Sequence, residues 1–470
     1  MRYFQTDPVA VDVDIELPAD WSEQIRAIAA QNDLEATEIS RLPHKKAVVT
    51  LGATSAIGQD AQRFQDAVAR TCGQVKEFLS PSRSRQDALM LRRIYIHNYR
   101  TFINFEWAPP PACVVVGENG AGKSSLIEVL WALQDVAVRG KLFEETGFPG
   151  TLSKLVADGK TAEQTIEVDI EDGGTAFKYR LGCRQERGHG SIRETLMANG
   201  QLIYRSGDGK VELFGDDPPS PGPRTTIPFE RRRSFLAALE PGADNRRIIS
   251  FREALGAIWG LKPAPASLGA TATGESEWLD RDLSNFASWY RARQAQDPDA
   301  ADLLRQDLKA VLTGFSQLRL EPISHEAKEL LIRFTFGEES HELGWAKLSD
   351  GQRLLVALYG AFRFALEKKA RLIALDEVEN YVAPAEIQPW LRLVADAAAK
   401  RNCQLLLVSH HPESIDYMAA DAAWIMRRDE THGHSRIGQL TPNLDAGETA
   451  YEASKRDREV IDTGETQGDA

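Results

Sequence analysis

Apolar residues recur along this chain in two spacings, and the change from one to the other divides it into segments. Four short segments alternate or run apolar over strand lengths, at residues 165–170, 176–181, 192–197 and 211–214. They predict an antiparallel β lobe. From about residue 232 to 313 the apolar spacing is helical, which predicts a helical insertion. Residues 216–223 are too rich in proline for either element and predict a surface loop.

A smaller pattern occupies the first 89 residues. Alternation from Val9 to Leu17 predicts a strand, and residues 47–51 predict another. Helical spacing at residues 21–30 and about 60–79 completes a βαβα arrangement. We therefore expect a small α/β appendage, joined to the rest of the chain through the polar residues 81–85.

A glycine-rich loop provides the first chemistry. Residues 117–124 read Gly-Glu-Asn-Gly-Ala-Gly-Lys-Ser, an unbroken GxxxxGK[ST], between an apolar β-branched run and a segment of helical spacing. In this motif backbone N–H groups cradle phosphates, the lysine reaches the β and γ phosphates, and the hydroxyl ligates Mg²⁺. ATP and Mg²⁺ are the expected ligands. The expected nucleotide contacts are Asn119, Gly120, Ala121, Gly122, Lys123, Ser124 and Ser125, with Ser124 also a metal ligand.

Two later strands end in polar side chains. Residues 371–375 are mostly apolar and are followed by Asp376 and Glu377, the position where P-loop proteins place a metal-holding carboxylate and a water-polarising acid. We expect Asp376 to hold Mg²⁺ and Glu377 to be the general base. The apolar residues 404–408 lead to Ser409 and His410. Because open α/β sheets bind ligands at the carboxyl ends of their strands, His410 is the candidate γ-phosphate sensor.

The segment Leu348-Ser-Asp-Gly-Gln352 resembles the LSGGQ signature of the ATP-binding-cassette ATPases, with Asp350 in place of the first glycine. In that family the serine and glycine begin a helix that faces the nucleotide of the opposite subunit. The resemblance therefore implies nucleotide contacts across a dimer by Ser349, Asp350, Gly351 and Gln352.

The resemblance extends over about residues 91–430. Residues 91–105 are similar to the opening strand and "NFRSF" turn of the RecF, SMC and OLD-like ATPases. Residues 376–384 and 409–413 are similar to the "DEPENxLHP" and "SHHPE" stretches of small bacterial members, which include the ATPase subunits of the Septu and PARIS anti-phage systems. The fold class implied is α/β: a P-loop NTPase of ABC type with an antiparallel β lobe, a helical insertion and a small N-terminal appendage.

The resemblance also implies partners. It implies a homodimer, or a higher homo-oligomer, with ATP at the subunit interface, and a sensor or gating ATPase in phage defence that acts with a separate nuclease or toxin. A RecF-like DNA-repair ATPase is the alternative, and fold-level analogy leaves the choice open. About 60 residues follow His410, so we expect a nuclease domain to lie on another chain.

Composition narrows the class further. The chain has 42% hydrophobic and 27% charged residues, enough for several cores, and no apolar run that suggests a membrane span or signal peptide. Its four cysteines lack CxxC spacing, and we expect a cytoplasmic location. A net charge of −13 disfavours coating of nucleic acid. The arginines at 231–233, 246–247 and 252 favour solvated surface, with docking of nucleic acid or an acidic partner as the alternative.

The predicted boundaries follow from these motifs. The appendage covers residues 1–89, the first ATPase segment 90–140, and the β lobe with its helical insertion 141–320. The second ATPase segment covers residues 321–440, and an acidic flexible tail 441–470. Residues 141–320 lack long heptads and a CxxC hook, so this ATPase is expected to be compact, without coiled-coil arms.

Overall fold

The computed structural model divides the 470-residue chain into two compact units, Met1–Asp87 and Ala88–Ala470. The residues described in the first unit are 9–12, 25–27, 29–30, 34–42, 46–53, 63–65, 67–68 and 71. The residues described in the second unit are 89–155, 163–186, 189–216, 220–411, 415, 423–441 and 449–462.

The described strands, numbered in chain order, are β1 (Val9–Asp12), β2 (Leu34–Leu42), β3 (Lys46–Ala53), β4 (Met90–His97), β5 (Phe105–Trp107), β6 (Ala112–Gly117), β7 (Glu163–Asp172), β8 (Thr175–Glu186), β9 (His189–Ala198), β10 (Gln201–Gly207), β11 (Lys210–Leu213), β12 (Thr225–Pro228), β13 (Ile258–Leu261), β14 (Thr271–Ala272), β15 (Phe315–Pro322), β16 (Lys328–Phe336), β17 (Glu339–Gly344), β18 (Leu372–Asp376), β19 (Gln404–Val408), β20 (Ala423–Arg428) and β21 (Ser435–Gln439).

The described α-helices are α1 (Lys123–Ala137), α2 (Arg246–Gly256), α3 (Phe286–Gln296), α4 (Pro298–Val311), α5 (Asp350–Ala361), α6 (Glu367–Lys369), α7 (Pro384–Lys400) and α8 (Ala450–Asp462). A π-helical stretch, Phe362–Leu366, joins α5 to α6. No helix within the described ranges is both long and apolar enough to cross a membrane.

In the first unit, three strands form an antiparallel sheet in the order β1-β3-β2. The predicted strands at Val9 and at residues 47–51 are present as β1 and β3, and the rest of the first one lies outside the described residues. β2 was not predicted. Its register shifts between Ala36 and Glu38, and such a bulge breaks the period of two that marks a strand in sequence. Of the two predicted helices, only parts are described, and these are helical.

The second unit is built on a six-stranded sheet in the order β13-β18-β19-β6-β20-β21. Neighbouring strands are parallel except for β20 and β21. All five residues of β18 and of β19 are buried, as expected of a sheet covered on both faces. Alternate residues serve two cores: Leu375 and Leu407 pack in one, while Ala374 and Leu406 pack in the other with α1. The predicted α/β class is confirmed.

β13 corrects the prediction of an all-helical segment at residues 232–313. That segment does contain α2, α3 and α4, but Ile258–Leu261 is the edge strand of the central sheet. Four residues are too few for a strand period to stand out between helices. Gly260 is needed here because a Cβ at this position would collide with the indole of Trp131 on α1.

The predicted antiparallel β lobe is confirmed as an eight-stranded sheet in the order β12-β11-β10-β9-β8-β7-β4-β5. β7 and β8 pair over ten residues, from Glu163 opposite Arg184 to Asp172 opposite Thr175. A smaller sheet of β14, β15, β16 and β17 lies before the signature segment in the chain.

The prediction of a flexible acidic tail is wrong for residues 450–462, which form α8. Thr449 and Glu452 form a reciprocal cap: the Glu452 N–H donates to Thr449 Oγ1 at 3.2 Å, and the Thr449 N–H donates to Glu452 Oε2 at 2.9 Å. Ala450 and Ala453 are buried in the same core as Leu375. The Thr-x-x-Glu pattern is a capping box that the sequence displays.

Glu194 is a fully buried carboxylate inside the β lobe. It accepts hydrogen bonds of 2.7–2.9 Å from the hydroxyl groups of Tyr179, Tyr204, Ser206 and Ser234. Burial raises the pKa of Glu194 above 4.5, although the four hydroxyl donors oppose the shift. Desolvation of the charged form therefore outweighs hydrogen bonding at this position.

We predict that Glu194 makes the chain less stable as pH rises from its ordinary pKa through the raised value. Because its pKa is raised on folding, the folded chain binds more protons than the unfolded chain between these two pKa values, and this contribution to stability is lost as pH rises through the raised pKa. Urea unfolding measures the unfolding free energies of the wild type and of Glu194→Gln. As pH increases, the wild type should lose stability relative to Glu194→Gln.

Glu212→Gln is the matched control in the same lobe. Hydrogen bonds from Lys210 and Arg205 lower the pKa of Glu212 below 4.5. Its contribution to stability is then lost only as pH falls through that lowered pKa, and the difference between wild type and this variant should stay flat from pH 5 to 8. Equal slopes for both variants would contradict a raised pKa at Glu194.

Candidate nucleotide-binding site

The phosphate loop connects β6 to α1. Gly117 has a φ of 144°, and a Cβ there would collide with the carbonyl of Met426 on β20. Gly122, with φ 110° and ψ 6°, is the left-handed residue from which α1 begins. Both positions require glycine, and together they turn the loop so that the amino end of α1 faces its concave side.

Lys123 is buried, with 5% of its surface exposed, and its side chain points back into the loop. Its ammonium donates to the carbonyl oxygens of Gly117 at 2.9 Å and Glu118 at 2.8 Å. These contacts hold a positive charge at the centre of the loop, where the sequence motif places it.

A cavity of about 330 Å³ opens over the loop. Its lining combines phosphate-loop residues with side chains from three other segments: Arg100, Thr101, Asn119, Gly120, Gly122, Lys123, Ser124, Ser125, Glu377 and Arg428. Arg428 also donates from Nε to the carbonyl oxygen of Gly120 at 3.0 Å. Positive side chains therefore flank the loop on two sides, which suits a polyanionic ligand.

Asp376 lies at the carboxyl end of β18 with its side chain fully shielded from solvent. Ser124 Oγ donates to Asp376 Oδ1 at 3.1 Å, and Lys262 Nζ lies 2.9 Å from Oδ2. A buried carboxylate is costly without a positive partner. Here the ammonium of Lys262 provides the positive charge, and the adjacent hydroxyl and carboxylate oxygens are the hard ligands that Mg²⁺ prefers. The residues present therefore fit a magnesium ion.

Glu377 follows directly and is held from two sides. Its backbone has a φ of 50°, and its N–H donates to the carbonyl of Val408 at 3.0 Å. Asn380 Nδ2 donates to Glu377 Oε2 at 2.8 Å, and His410 Nε2 lies 3.1 Å from Oε1. The two residues that the sequence assigned to proton transfer and phosphate sensing are thus in contact with each other.

A second carboxylate, Glu379, supports this pair from behind. Its side chain accepts a short hydrogen bond from Ser409 Oγ, which itself accepts the N–H of His411 at 3.0 Å. Burial raises the pKa of Glu379 above its ordinary value. The loop after β18 and the loop after β19 are therefore tied together, and this fixes His410 relative to Glu377.

The signature segment is exposed and caps its own helix. Ser349 Oγ accepts the N–H of Gln352 at 3.2 Å, and Gln352 Oε1 accepts the N–H of Ser349 at 3.1 Å. Asp350 forms an ion pair with Arg353. A Cβ at Gly351 would stand 3.0 Å from the carbonyl oxygen of Tyr381, so this part of α5 packs closely on the loop after β18. Residues 349–352 are not among the described residues that line the cavity of their own chain.

Several residues at the site were not singled out in the sequence. Arg100 Nη1 donates to Ser125 Oγ at 2.9 Å and lies 2.5 Å from Glu128. Lys262 follows β13, the strand that was missed. Ser435 Oγ donates to the carbonyl oxygen of Ala121 at 2.6 Å. The sequence gives only weak indications of their roles, because each role depends on strand pairing between distant stretches of the chain.

The arginine-rich segments have local partners in the fold. Arg232 pairs with Glu144 at 2.9 Å, and Arg252 Nη1 donates to the carbonyl oxygens of Leu236 and Leu239 at 2.9 and 2.7 Å. These contacts hold the segment before α2 in place.

Residues 113–416 match the family described as "AAA domain, putative AbiEii toxin, Type IV TA system". The chain belongs to this family. Over 361 residues it is 24% identical to an OLD nuclease from Thermus scotoductus, an alignment that covers 72% of this chain and 62% of the relative. The chain thus spans less than two thirds of that relative's length. The resemblance to OLD-like ATPases is confirmed at the level of family.

Among solved structures, the chain is similar to an SMC head bound to the C-winged helix domain of ScpA, with 14% identity and a TM-score of 0.45. That alignment covers 76% of this chain and 99% of the other. An SMC head domain from Thermotoga maritima aligns with 15% identity and a TM-score of 0.39, over 75% of this chain and 99% of the other.

We predict that Lys262 competes with Mg²⁺ for Asp376. Lys262→Met should lower the Mg²⁺ concentration needed for half-maximal binding of a fluorescent ATP analogue. If the partly exposed ion pair is worth about 1 kcal/mol, the shift is about fivefold. Lys309→Met, which removes an exposed lysine of α4, is the control and should leave the Mg²⁺ dependence unchanged.

Nucleotide affinity measured without Mg²⁺ separates two roles for Lys262. If Lys262 only competes with the metal, Lys262→Met should have the wild-type affinity for nucleotide in the absence of Mg²⁺. A loss of affinity at every Mg²⁺ concentration would instead mean that Lys262 binds phosphate, and would contradict the competition.

Proposed function

We propose that this chain binds and hydrolyses ATP with Mg²⁺ and acts as a dimerising switch. The observation that carries the proposal is the convergence of three strand ends at one edge of the central sheet, beside the cavity. The phosphate loop after β6, Asp376 and Glu377 at the end of β18, and His410 after β19 all meet at the carboxyl edge of the central sheet. This is the edge at which open α/β sheets bind ligands.

Each residue then has a stated task. The loop N–H groups and Lys123 bind the phosphates, and Ser124 with Asp376 holds the metal. A bound Mg²⁺ neutralises charge on the phosphate oxygens. Glu377 accepts the proton of the attacking water, and His410, 3.1 Å from the Glu377 carboxylate, orients that carboxylate and senses the γ-phosphate.

The signature segment is the reason for proposing a dimer. Ser349, which is exposed, and Gly351, which is partly buried, lie at the start of α5 and are not among the described residues that line the cavity of their own chain. The amino end of a helix favours an anion, and in this arrangement that anion is the nucleotide of a second copy. ATP then contacts both copies only in the closed dimer, which makes it a differential ligand for that state.

The biological role we propose is gating of a toxic effector in bacterial phage defence, in the cytoplasm. Support comes from the family description, which refers to a toxin system, and from the similarity to a protein named as a nuclease. The closed dimer would present a surface to the effector, carried on a separate chain, that the open form lacks. Hydrolysis returns the switch to its open form.

We predict opposite effects for two variants at the same site. Lys123→Ala removes a charge-assisted contact to phosphate and should weaken ATP binding by about tenfold or more. Glu377→Gln keeps the shape of the base but not its proton acceptance, so ATP should bind, remain intact and hold the dimer closed. Calorimetry gives the affinities, and sedimentation velocity with and without ATP gives the masses.

Ser349→Arg is the control for closure. The larger cation at the start of α5 should block the dimer while the phosphate loop of the same chain still binds ATP. Identical masses for Glu377→Gln with and without ATP would contradict the switch.

Binding of DNA by the wild type that strengthens with ATP and weakens with salt would favour a repair clamp over effector gating.

A further inference from the structure

The turn between β20 and β21 brings three potential metal ligands together. Asp429, His432 and His434 each offer a ligand atom, and these atoms lie within 4.8 Å of one another. Asp429 Oδ1 is 3.6 Å from His432 Nδ1, and Asp429 Oδ2 is 3.8 Å from His434 Nδ1. The two imidazole rings stack with their centroids 5.2 Å apart. The δ nitrogens of both histidines therefore face the same carboxylate.

The ring of His434 is oriented by its surroundings. Its Nε2 lies 3.5 Å from the carbonyl oxygen of Leu155, and its Nδ1 faces Asp429. Metal-binding histidines commonly donate their second ring nitrogen to a backbone carbonyl in this way. His434 is also mostly buried, which limits its rotation.

Asp429 is prepared for a cation as well. Its Oδ1 accepts the N–H of His432 at 2.7 Å. Its Oδ2 is shielded from solvent and accepts no hydrogen bond within the described part of the chain. Arg436 Nη2 lies 3.4 Å from this oxygen. One carboxylate oxygen thus supports the turn, and the other is shielded from solvent with Arg436 and His434 beside it.

We propose that Asp429, His432 and His434 bind a divalent transition metal of the Zn²⁺ class. Two imidazoles and one carboxylate are a ligand set that suits zinc, cobalt or nickel, whereas Mg²⁺ and Ca²⁺ prefer oxygen ligands. With three protein ligands, the fourth position is filled by water or by a group on a partner. The site shares no residue with the Ser124–Asp376 pair, and the proposal does not rest on ATP hydrolysis.

The turn that carries the proposed metal site also contacts the phosphate loop. Arg428, the residue before Asp429, donates to the carbonyl oxygen of Gly120, and Ser435, the residue after His434, donates to that of Ala121. Both contacts support the phosphate loop from outside. A metal that links the two ends of the turn holds Arg428 and Ser435 at a fixed separation.

Co²⁺ titration of the full-length, nucleotide-free protein tests the site. We expect one equivalent of Co²⁺ to bind, with visible d–d absorption that Zn²⁺ abolishes by displacement. Asp429→Asn keeps the acceptor for the His432 N–H but removes the charge, and the double variant His432→Gln, His434→Gln removes both imidazoles. Each should weaken binding by about tenfold or more. His341→Gln, at an exposed histidine on β17, is the matched control and should bind as the wild type does.

Arg436→Gln gives a test in the opposite direction. It removes the cation nearest to Asp429 Oδ2 and should tighten Co²⁺ binding severalfold, a result that misfolding would not produce. Absence of a saturable one-to-one site in the wild type would overturn the proposal. Wild-type affinity in the double histidine variant would overturn it too, because the ion would then bind elsewhere.

Discussion

The carboxylate of Asp376 is the constraint on which the site depends. An ionised group with no exposure to solvent needs a positive or hydrogen-bonding partner, and a missing partner would cost several kcal/mol. Its partners, Ser124 and Lys262, come from segments more than 100 residues away on the amino-terminal side. Burying this charge therefore requires the ends of β6, β13 and β18 to meet, and that meeting point is the cavity.

The register of the central sheet brings these strand ends together. Leu261 on β13 pairs with Leu375 on β18, so that the next residues, Lys262 and Asp376, reach the carboxyl edge at the same level. Asp376 in turn pairs with Val408 on β19. One step farther along each chain, Glu377 and Ser409 enter loops that Glu379 joins. A slip of one residue in any of these pairs would turn Asp376 or its partners to the opposite face.

The predictable part of the site is the part written in continuous sequence. The phosphate loop, the carboxylates after β18 and the histidine after β19 are each adjacent to an apolar strand, so that their spacing alone indicates their chemistry. Lys262 could not be found in this way, since its role arises only from the pairing of a four-residue strand with β18. The contacts of Arg428 and Ser435 have the same origin, because they depend on the pairing of β20 with β6.

The same distinction applies to the fold. Long apolar runs and alternating segments predicted the central sheet and the β lobe, where burial on one or both faces enforces the pattern. β2 was missed because its bulge interrupts the alternation, and α8 because its polar composition concealed a helix held by Thr449 and by two buried alanines. In both cases the local pattern is weak, and the pairing or packing of the rest of the chain decides the structure.

The central sheet and the β lobe of the second unit are joined at the opposite end of the strand that His410 follows. Gln404, the first residue of β19, is fully buried; its Oε1 accepts the N–H of Leu91 at 2.8 Å, and its Nε2 donates to the carbonyl of Pro110 at 3.0 Å. Nearby, Arg371 before β18 pairs with Asp172 on β7. β18 and β19 thus contact the β lobe at their amino ends and the cavity at their carboxyl ends. A displacement of these strands on nucleotide binding would therefore be transmitted to the β lobe through Gln404 and Arg371.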